Sequence, residues 1–551
     1  MAQPRLSGLS LTATLHLART KPGALLLKHL FLKDLRVHEL ERLPTELLGD
    51  VPLDTRVRGA RPPRQTEGGL PLPTSSGDHP TSTELVQRYT SGKTSPEAIV
   101  KHAYDALDRL ENGTPYLGPM CDRTEARALN EASASLARYQ AKRPLGPLDG
   151  VPVVIKEEIG VAGVARLAGS DFESESPWPS DPTIVLRLVA AGAVVLGTTV
   201  MTEYGMTPLG FNPKRRMPRN PHGDDRLAGG SSTGTAVAVA TGVVPFGIGT
   251  DGGGSIRIPS SLNGVFGIKP TWGRVSRDGE LGGGSVAHVG PIASSTLDLA
   301  VALEVTAGPD ERDRQTFGSP EVAPGQFTAA CTRSVKGLRI GVDKALWKDA
   351  APEVERACEN ALLALERAGA VRVSIATQVA PFAAPIGYLS IGPEALAACR
   401  PYFVAARERF TPDLELSFAV LNELSLHDYL FAARLREGLR LEMVRQFGEI
   451  DVIALPATLS TAPSATDAEM ATGLVDSAAL DALCRPNFLG NLTGLPAISV
   501  PVGQDKNGLP IGLQLVGDAW DEATLFCLSA ELERQGIARA PKPKTSVNIL
   551  D

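Results

Sequence analysis

Short apolar runs alternate with helical patterns along this chain, and this alternation limits the fold more than any other feature of the sequence. Two helical patterns, at 183–192 and 354–369, lie among runs that have the length of buried strands, which are 151–155, 193–197, 337–342, 451–456 and 497–502. Strands that alternate with helices favour a sheet covered by helices on both faces. We therefore predict an α/β protein with a large, twisted, mixed and mainly parallel sheet.

The length of 551 residues allows one large core with an appended segment. Residues 58–81 are rich in Pro, Gly and Ser, which is typical of an irregular linker. We predict an N-terminal helical extension and linker over residues 1–80 and a catalytic domain over 81–545. Just beyond the linker, Ser95 followed by Pro96 predicts the start of a helix.

Leucines interleaved with basic residues follow Pro22 and predict an amphipathic helix that extends to Arg36. A helix of this kind packs on the body of its own protein or on a second subunit, and we expect one of these arrangements. Apolar and basic residues together also suit a membrane surface. Peripheral membrane contact through residues 22–36 and a homodimer are therefore both open hypotheses.

The composition excludes several classes of function. The net charge of -7 provides no positive field for nucleic acid. The six cysteines show no CxxC spacing, so we expect reduced thiols, no metal and no cofactor. No apolar run approaches the ~20 residues that span a bilayer, and the N-terminal residues lack the apolar region of a signal peptide. We expect a cytoplasmic protein.

Residues 229–259 contain two glycine clusters that carry serines. Neither cluster fits the nucleotide-binding patterns GxxxxGK[ST] or GxGxxG with its acidic partner, which argues against a nucleotide site. Residues 230–234 formally match the GxSxG turn of α/β-hydrolases, which would make Ser232 the nucleophile. The candidate bases would then be His288 and His427, and neither lies near other catalytic features, so we regard this match as accidental.

A lysine further upstream suggests a third interpretation. The apolar run at 151–155 leads directly into Lys156. Burial at the end of such a strand disfavours the charged ammonium, and an uncharged lysine can accept a proton.

Several long stretches together resemble the amidase signature family, whose members hydrolyse or transfer amides through two serines and a lysine. They are GVPVVIKEEIG at 150–160, GGSSTGTAVAVATG at 229–242, GTDGGGSIRIPSSLNGVFGIKPTWGRVS at 249–276, NLTGLPAISVPVG at 491–503 and GLPIGLQLVG at 508–517. The resemblance covers about residues 82–540. It implies a Ser-Ser-Lys triad in which Ser255 is the nucleophile, Ser231 the bridging serine and Lys156 the base.

The chemistry of these residue types agrees with those roles. A serine hydroxyl becomes a strong nucleophile only when a base takes its proton, and Ser231 can accept from Ser255 while it donates to Lys156. The glycines of the second cluster leave backbone N–H groups open to a developing oxyanion, and we expect them to form the oxyanion hole; they are Gly252, Gly253 and Gly254. We assign supporting roles to Ser232 and Asp251, the latter in orienting the loop.

Thr233 stands where the family usually has glycine, so it could narrow the site or alter the turn. The substrate pocket is expected in the region of about residues 375–450, which is dense in aromatic residues for this chain. These residues suggest an apolar pocket for a small-molecule, acyl, aryl or peptide-like amide.

The leading hypothesis is an amide hydrolase that works through an acyl-enzyme and acts on carbon-nitrogen bonds other than peptide bonds. Two alternatives remain open. One is the amidase subunit of a transamidating complex, and the other is a non-catalytic binding protein of the same fold.

Overall fold

The computed structural model of the protein describes residues 4–49, 57, 59–73, 78–171, 176–281 and 284–550. Residues 58 and 74–77 of the predicted linker and parts of the predicted N-terminal extension lie outside the described residues. The described parts of the linker, 59–73 and 78–81, contain no helix or strand. The division into an extension and a catalytic domain stays a prediction.

The strands include all five predicted apolar runs, within one or two residues at each end. They are β1 Arg5–Ser7, β2 Met120–Arg123, β3 Pro152–Lys156, β4 Val194–Thr199, β5 Arg219–Asn220, β6 Gly223–Leu227, β7 Phe246–Asp251, β8 Phe266–Lys269, β9 His288–Ala293, β10 Arg339–Val342, β11 Val371–Ser374, β12 Val452–Pro456, β13 Leu474–Asp476, β14 Ala497–Gln504 and β15 Pro510–Gly517.

The helices include the predicted ones. They are α1 Gly8–Ala18, α2 Lys21–Asp34, α3 Val37–Leu40, α4 Ser82–Thr90, α5 Pro96–Asn112, α6 Glu125–Gln140, α7 Thr183–Ala190, α8 Thr233–Ala240, α9 Arg257–Asn263, α10 Thr296–Thr306, α11 Gln326–Ala330, α12 Pro352–Arg367, α13 Ala383–Ala406, α14 Pro412–Leu421, α15 Leu426–Phe447, α16 Asp467–Thr472, α17 Ser477–Cys484, α18 Phe488–Thr493 and α19 Glu522–Arg534. Short 3₁₀ helices lie at Thr45–Leu47, Glu203–Gly205, Arg314–Thr316, Lys344–Trp347, Ala380–Phe382 and Arg407–Arg409. As predicted, α5 begins with Pro96, and the Ser95 side chain accepts from the Ala98 N–H.

In the described residues, one mixed sheet of 11 strands has the order β11-β10-β12-β15-β14-β8-β9-β7-β3-β4-β2. The predicted α/β class and large mixed sheet are confirmed. The parallel share is lower than predicted, because only β10–β11, β10–β12, β3–β7 and β3–β4 pair in parallel. The antiparallel middle is built by β8, β9 and β15, which glycines interrupt and which apolar continuity therefore does not predict.

The centre of the sheet is fully buried. All residues of β3, β7 and β8 are buried, which is expected of strands covered on both faces. Helix α8 packs on β7 and β3, and α9 packs on β8, β14 and β15. These two helices begin just after the two serine-bearing glycine clusters, so the packing of the core determines where the serines lie.

Helices α1 and α2 pack on α14, which lies within the predicted pocket region. Ion pairs join α2 to the chain around the start of α15, including Lys28 Nζ to Asp428 Oδ2 at 3.2 Å. The predicted basic helix is therefore confirmed as a helix that contacts the body. Leu25, Leu26 and Leu30 remain exposed on its outer face. None of the helices within the described ranges is both long and apolar enough to cross a bilayer.

Candidate active site

Two neighbouring parallel strands bring the predicted lysine and the second glycine cluster together. Strand β3 pairs with β7 in a register that matches Ile155 with Ile248. Lys156 is the last residue of β3, and Asp251 is the last residue of β7. Because parallel strands end at the same edge of a sheet, the side chain of Lys156 and the loop after β7 share one site.

Lys156 is completely buried and is surrounded by three oxygen atoms. Its Nζ contacts Ser231 Oγ at 2.7 Å and Thr250 Oγ1 at 2.5 Å. The third oxygen is Glu158 Oε2, which forms an ion pair with Nζ at 2.8 Å. The structure therefore brings two of the three predicted triad residues into direct contact.

Glu158 is the main feature of the site that sequence reasoning missed. The prediction started from burial, which disfavours a charged lysine, and it did not include the buried carboxylate that the structure places beside the amine. Burial raises the pKa of Glu158, but Lys156 and the hydroxyl of Thr250 lower it, and the net result is a lowered pKa. The structure therefore sets an acidic side chain, and not an apolar one, against the amine of Lys156. The signal in the sequence was the run Lys156-Glu157-Glu158.

The first glycine cluster holds Ser231 and Ser232 in a turn before α8. The Gly230–Ser231 peptide bond is cis, and both serines are buried. The Ser232 N–H donates to the Ser255 carbonyl at 3.3 Å, and the Ser232 hydroxyl donates to the Thr250 carbonyl at 3.2 Å. Ser232 therefore links the two glycine clusters, and its side chain makes no capping bond to α8.

Asp251 organises the loop that carries Ser255. Its carboxylate accepts from the N–H groups of Gly254 at 2.8 Å and Ile256 at 3.1 Å, and it pairs with the guanidinium of Arg257 at 2.9 Å. Burial raises the pKa of Asp251, but Arg257 and Asn491 hold it well below the usual range. The carboxylate is therefore charged, and it fixes the backbone around the predicted nucleophile.

The glycines of the second cluster allow close approach of the neighbouring helices. A Cβ at Gly252 would lie 3.0 Å from Ile391 Cδ1, and a Cβ at Gly253 would lie 2.8 Å from the ring of Phe488. Gly254 has φ of +120°, which a side chain disfavours. The N–H of Gly254 donates to Asp251, which is at odds with its predicted role as an oxyanion donor.

Ser255 is partly exposed, whereas Lys156 and Ser231 are buried. This difference suits a nucleophile that meets substrate and a base that is kept from water. The hydroxyl of Ser255 has no hydrogen-bond partner among the described residues. The structure joins Ser255 to the first cluster through the Ser232 N–H, and it joins Ser231 to Lys156 through side chains.

The histidines of the alternative hydrolase interpretation have other partners. His288 is buried on β9, where its Nδ1 contacts the Val286 carbonyl at 2.8 Å. The ring of His427 stacks with that of Phe431 near the start of α15. The hydroxyl of Ser232 bonds to the backbone of Thr250. Within the described ranges, there is also no cluster of three His, Cys, Asp or Glu side chains that could hold a metal ion.

Aromatic residues of the region 375–450 form two groups near the site. One group joins Tyr204, whose neighbour Gly205 lies against Ser231, to the mutually packed rings of Phe403, Phe410 and Phe418. In the other group, the ring of Tyr388 lies 5.0 Å from that of Phe488, which packs against Gly253. Apolar rings therefore flank both glycine clusters.

The chain is similar to known proteins that act on amides. The chain is 35% identical over 474 residues to a fatty acid amide hydrolase of Medicago truncatula, covering 84% of this chain and 77% of that protein. It is 33% identical over 470 residues to one subunit of the glutamyl-tRNA(Gln) amidotransferase of Chloroflexus aurantiacus, covering 80% of this chain and 94% of that protein.

A solved structure shows the same fold. The peptide amidase of Stenotrophomonas maltophilia superposes with a TM-score of 0.72 at 28% identity, covering 84% of this chain and 98% of that one. The model of the family described as Amidase matches residues 103–526, which is more than half of the chain. The protein therefore belongs to the Amidase family, the family of the amidase signature enzymes.

Proposed function

We propose that this amidase hydrolyses carboxamide C–N bonds other than peptide bonds through an acyl-enzyme formed on Ser255. The observation that carries the proposal is the buried contact of Lys156 Nζ with Ser231 Oγ, at 2.7 Å, beside the glycine loop that presents Ser255. Ser231 is the proton bridge and Lys156 is the base.

In the first half of the reaction, Ser255 Oγ attacks the amide carbonyl carbon and gives its proton to Ser231, which passes its own proton to Lys156. The tetrahedral intermediate then loses the amine. The C–N bond breaks, and the leaving nitrogen takes a proton back through the same two side chains. In the second half, water attacks the acyl-serine ester, and the carboxylic acid leaves as Ser255 regains its proton.

The developing oxyanion needs donors that are not already engaged. The Gly254 N–H bonds to Asp251, so our proposal assigns the oxyanion hole to the N–H groups of Gly252, Gly253 and Ser255. Preorganised donors of this kind commonly contribute a factor of about 10²–10³ in rate each. Asp251 keeps its supporting role, because its contacts hold the loop in which these donors lie.

We propose an apolar acyl, aryl or peptide-like amide as substrate. Support comes from the rings of Tyr388 and Phe488 beside Gly253 and from Ile391 beside Gly252. The names of the relatives, a fatty acid amide hydrolase and a peptide amidase, agree with substrates of this kind.

The test is labelling by a fluorophosphonate probe together with hydrolysis of a panel of amides by the purified protein. We expect labelling at residue 255 and loss of turnover by at least about 10³-fold in Ser255→Ala. Ser260→Ala is the matched control, because the hydroxyl of this neighbouring serine donates to the Ile256 carbonyl and has no other partner in the described part of the chain. If the unaltered protein shows no labelling and no turnover, the result would support the non-catalytic binding protein instead.

A second candidate function is the amidase subunit of a transamidating complex. The alignment covers 94% of the Chloroflexus subunit, compared with 77% of the Medicago hydrolase. Full turnover of simple amides by the isolated chain would exclude this alternative. Hydrolysis of glutamine that depends on added partner subunits would support it.

The remaining proposals concern location and assembly. We propose a cytoplasmic protein whose exposed leucines on α2 provide a contact surface for a second copy or a membrane surface. Sedimentation equilibrium and co-sedimentation with anionic liposomes, each repeated with Leu26→Ser, distinguish the two. A monomer that does not bind liposomes would contradict both forms of this proposal.

A further inference from the structure

The contacts around Lys156 match an ammonium group. An ammonium has three donors and no acceptor, and Nζ has three oxygens within 2.8 Å, from Ser231, Thr250 and Glu158. Thr250 donates its own hydroxyl proton to Glu158 Oε2, which leaves its oxygen free to accept from Lys156. Every hydrogen bond at the amine is therefore consistent with a protonated lysine beside a carboxylate.

The proposed relay needs the opposite direction for one of these bonds. Ser231 must donate to Lys156 when it takes the proton of Ser255, and a protonated lysine cannot accept. Activation therefore removes one proton from the amine to solvent. During attack the amine regains a proton and becomes an ammonium again, beside the same carboxylate.

We propose that Glu158 is a positioning residue of the relay, which holds the amine of Lys156 against Ser231 and Thr250 and determines the pH above which the site is active. This inference rests on the proposed function of Lys156. Glu158 acts in two ways: it keeps the resting amine charged, and it stabilises the ammonium that forms as Ser255 attacks. Both effects come from one carboxylate at 2.8 Å.

Other charged groups near the pair have partners of their own. Arg166 is a further cation that acts on Glu158, and its guanidinium lies over the Trp178 ring. On β7, Asp251 is paired with Arg257. Strand β4 contributes Thr199 opposite Lys156, and its hydroxyl bonds with that of Thr235.

Glu157 provides a matched control beside Glu158. It is also buried, but its carboxylate pairs with Arg215 at 3.1 Å and accepts from the Met201 N–H at 3.2 Å. Removal of its charge therefore tests the loss of a buried carboxylate at this strand end without a change at the lysine.

The experiment measures the rate of fluorophosphonate labelling and kcat/KM from pH 5 to 10. We expect Glu158→Gln to move the midpoint of the acid limb down by about one to two pH units and to lower the plateau about tenfold or more. Glu158→Asp, which keeps the carboxylate, and Glu157→Gln should keep the midpoint of the unaltered protein. An unchanged midpoint in Glu158→Gln would overturn the proposal, as would an equal shift in Glu157→Gln.

A second measurement is independent of catalysis. In Ser255→Ala labelled with ¹³C at the lysine ε-carbon, the Lys156 signal is assigned by its loss in Lys156→Arg. Addition of Glu158→Gln should move the titration of this signal to lower pH, and no movement would overturn the charge pairing. If the unaltered protein neither labels nor turns over, the proposed function fails, while the lysine titration still decides the role of Glu158.

Discussion

Two buried strands of the sheet end in fully buried lysines, and the two strand ends differ in what surrounds the amine. Lys156 ends β3 beside the carboxylate of Glu158, whereas Lys269 ends β8 and donates to the carbonyls of Pro270 at 3.0 Å and Leu495 at 2.7 Å. Burial lowers the pKa of Lys269 well below its usual value, and the nearby Arg257 lowers it further. The two amines are therefore equally buried but differ in their contacts, since only one of these two lysines lies against a carboxylate.

Of these two lysines, only Lys156 belongs to the proposed relay, so its substitution gives the largest expected effect. Lys156→Met should lower kcat/KM by about 10³-fold or more, because it removes the proposed base of the relay. Lys269→Met should stay within about tenfold of the unaltered enzyme, since among the described residues its amine bonds only to the carbonyls of Pro270 and Leu495. Steady-state kinetics on one responsive amide checks both variants, with melting temperatures to confirm folding. Equal losses in the two variants would contradict the assignment.

The end of a third strand, β7, carries a buried charge whose loss should change the stability of the protein. Asp251 ends β7 and is completely buried with Arg257. Asp251→Asn leaves the buried guanidinium without its counter-charge, so we expect a loss of about 3–5 kcal/mol in the free energy of unfolding. Urea unfolding measures this loss. A change below about 1 kcal/mol would show that Asn491 and Gln514, which also accept from Arg257, are sufficient partners.

The smallest expected effect is a pH dependence of the free energy of unfolding, which results from the titration of Lys269. Its folded pKa is lowered, while an unfolded lysine titrates near ~10.4, so the unfolded chain binds more protons between these two values. Stability should therefore rise with pH across that window, by up to about 1.4 kcal/mol per pH unit. Lys269→Met should remove this slope from urea unfolding measured between pH 7 and 9. An unchanged slope would mean that Lys269 is charged in the folded protein.

Part of the fold was predictable from local patterns. The continuous apolar runs identified β3, β4, β10, β12 and β14, and the Ser95-Pro96 pair identified the start of α5. Strands such as β8 and β15 escaped detection because glycines break their apolar runs, although every residue in them is buried. The mainly antiparallel centre of the sheet was not predicted for the same reason, since these missed strands supply much of the antiparallel pairing.

In the candidate site too, some features were predictable from the sequence and others were not. The long motifs singled out Lys156, Ser231 and Ser255, and the structure brings their segments together at one edge of the sheet. The engagement of the Gly254 N–H by Asp251 depends on the turn of the loop, which residue spacing does not define. Likewise, successive residues beyond a strand follow no fixed alternation, so the sequence could not show that Glu158 contacts Lys156 while Glu157 contacts Arg215.

The sequence by itself determined which residue types are available for amide chemistry and which segments form the buried core, because both depend on composition and local periodicity. Tertiary structure alone decided the charge that each buried group experiences. Electrostatic interactions act across space between residues distant in the chain, such as Lys156 and Thr250, and only the packing of β3 against β7 determines that distance.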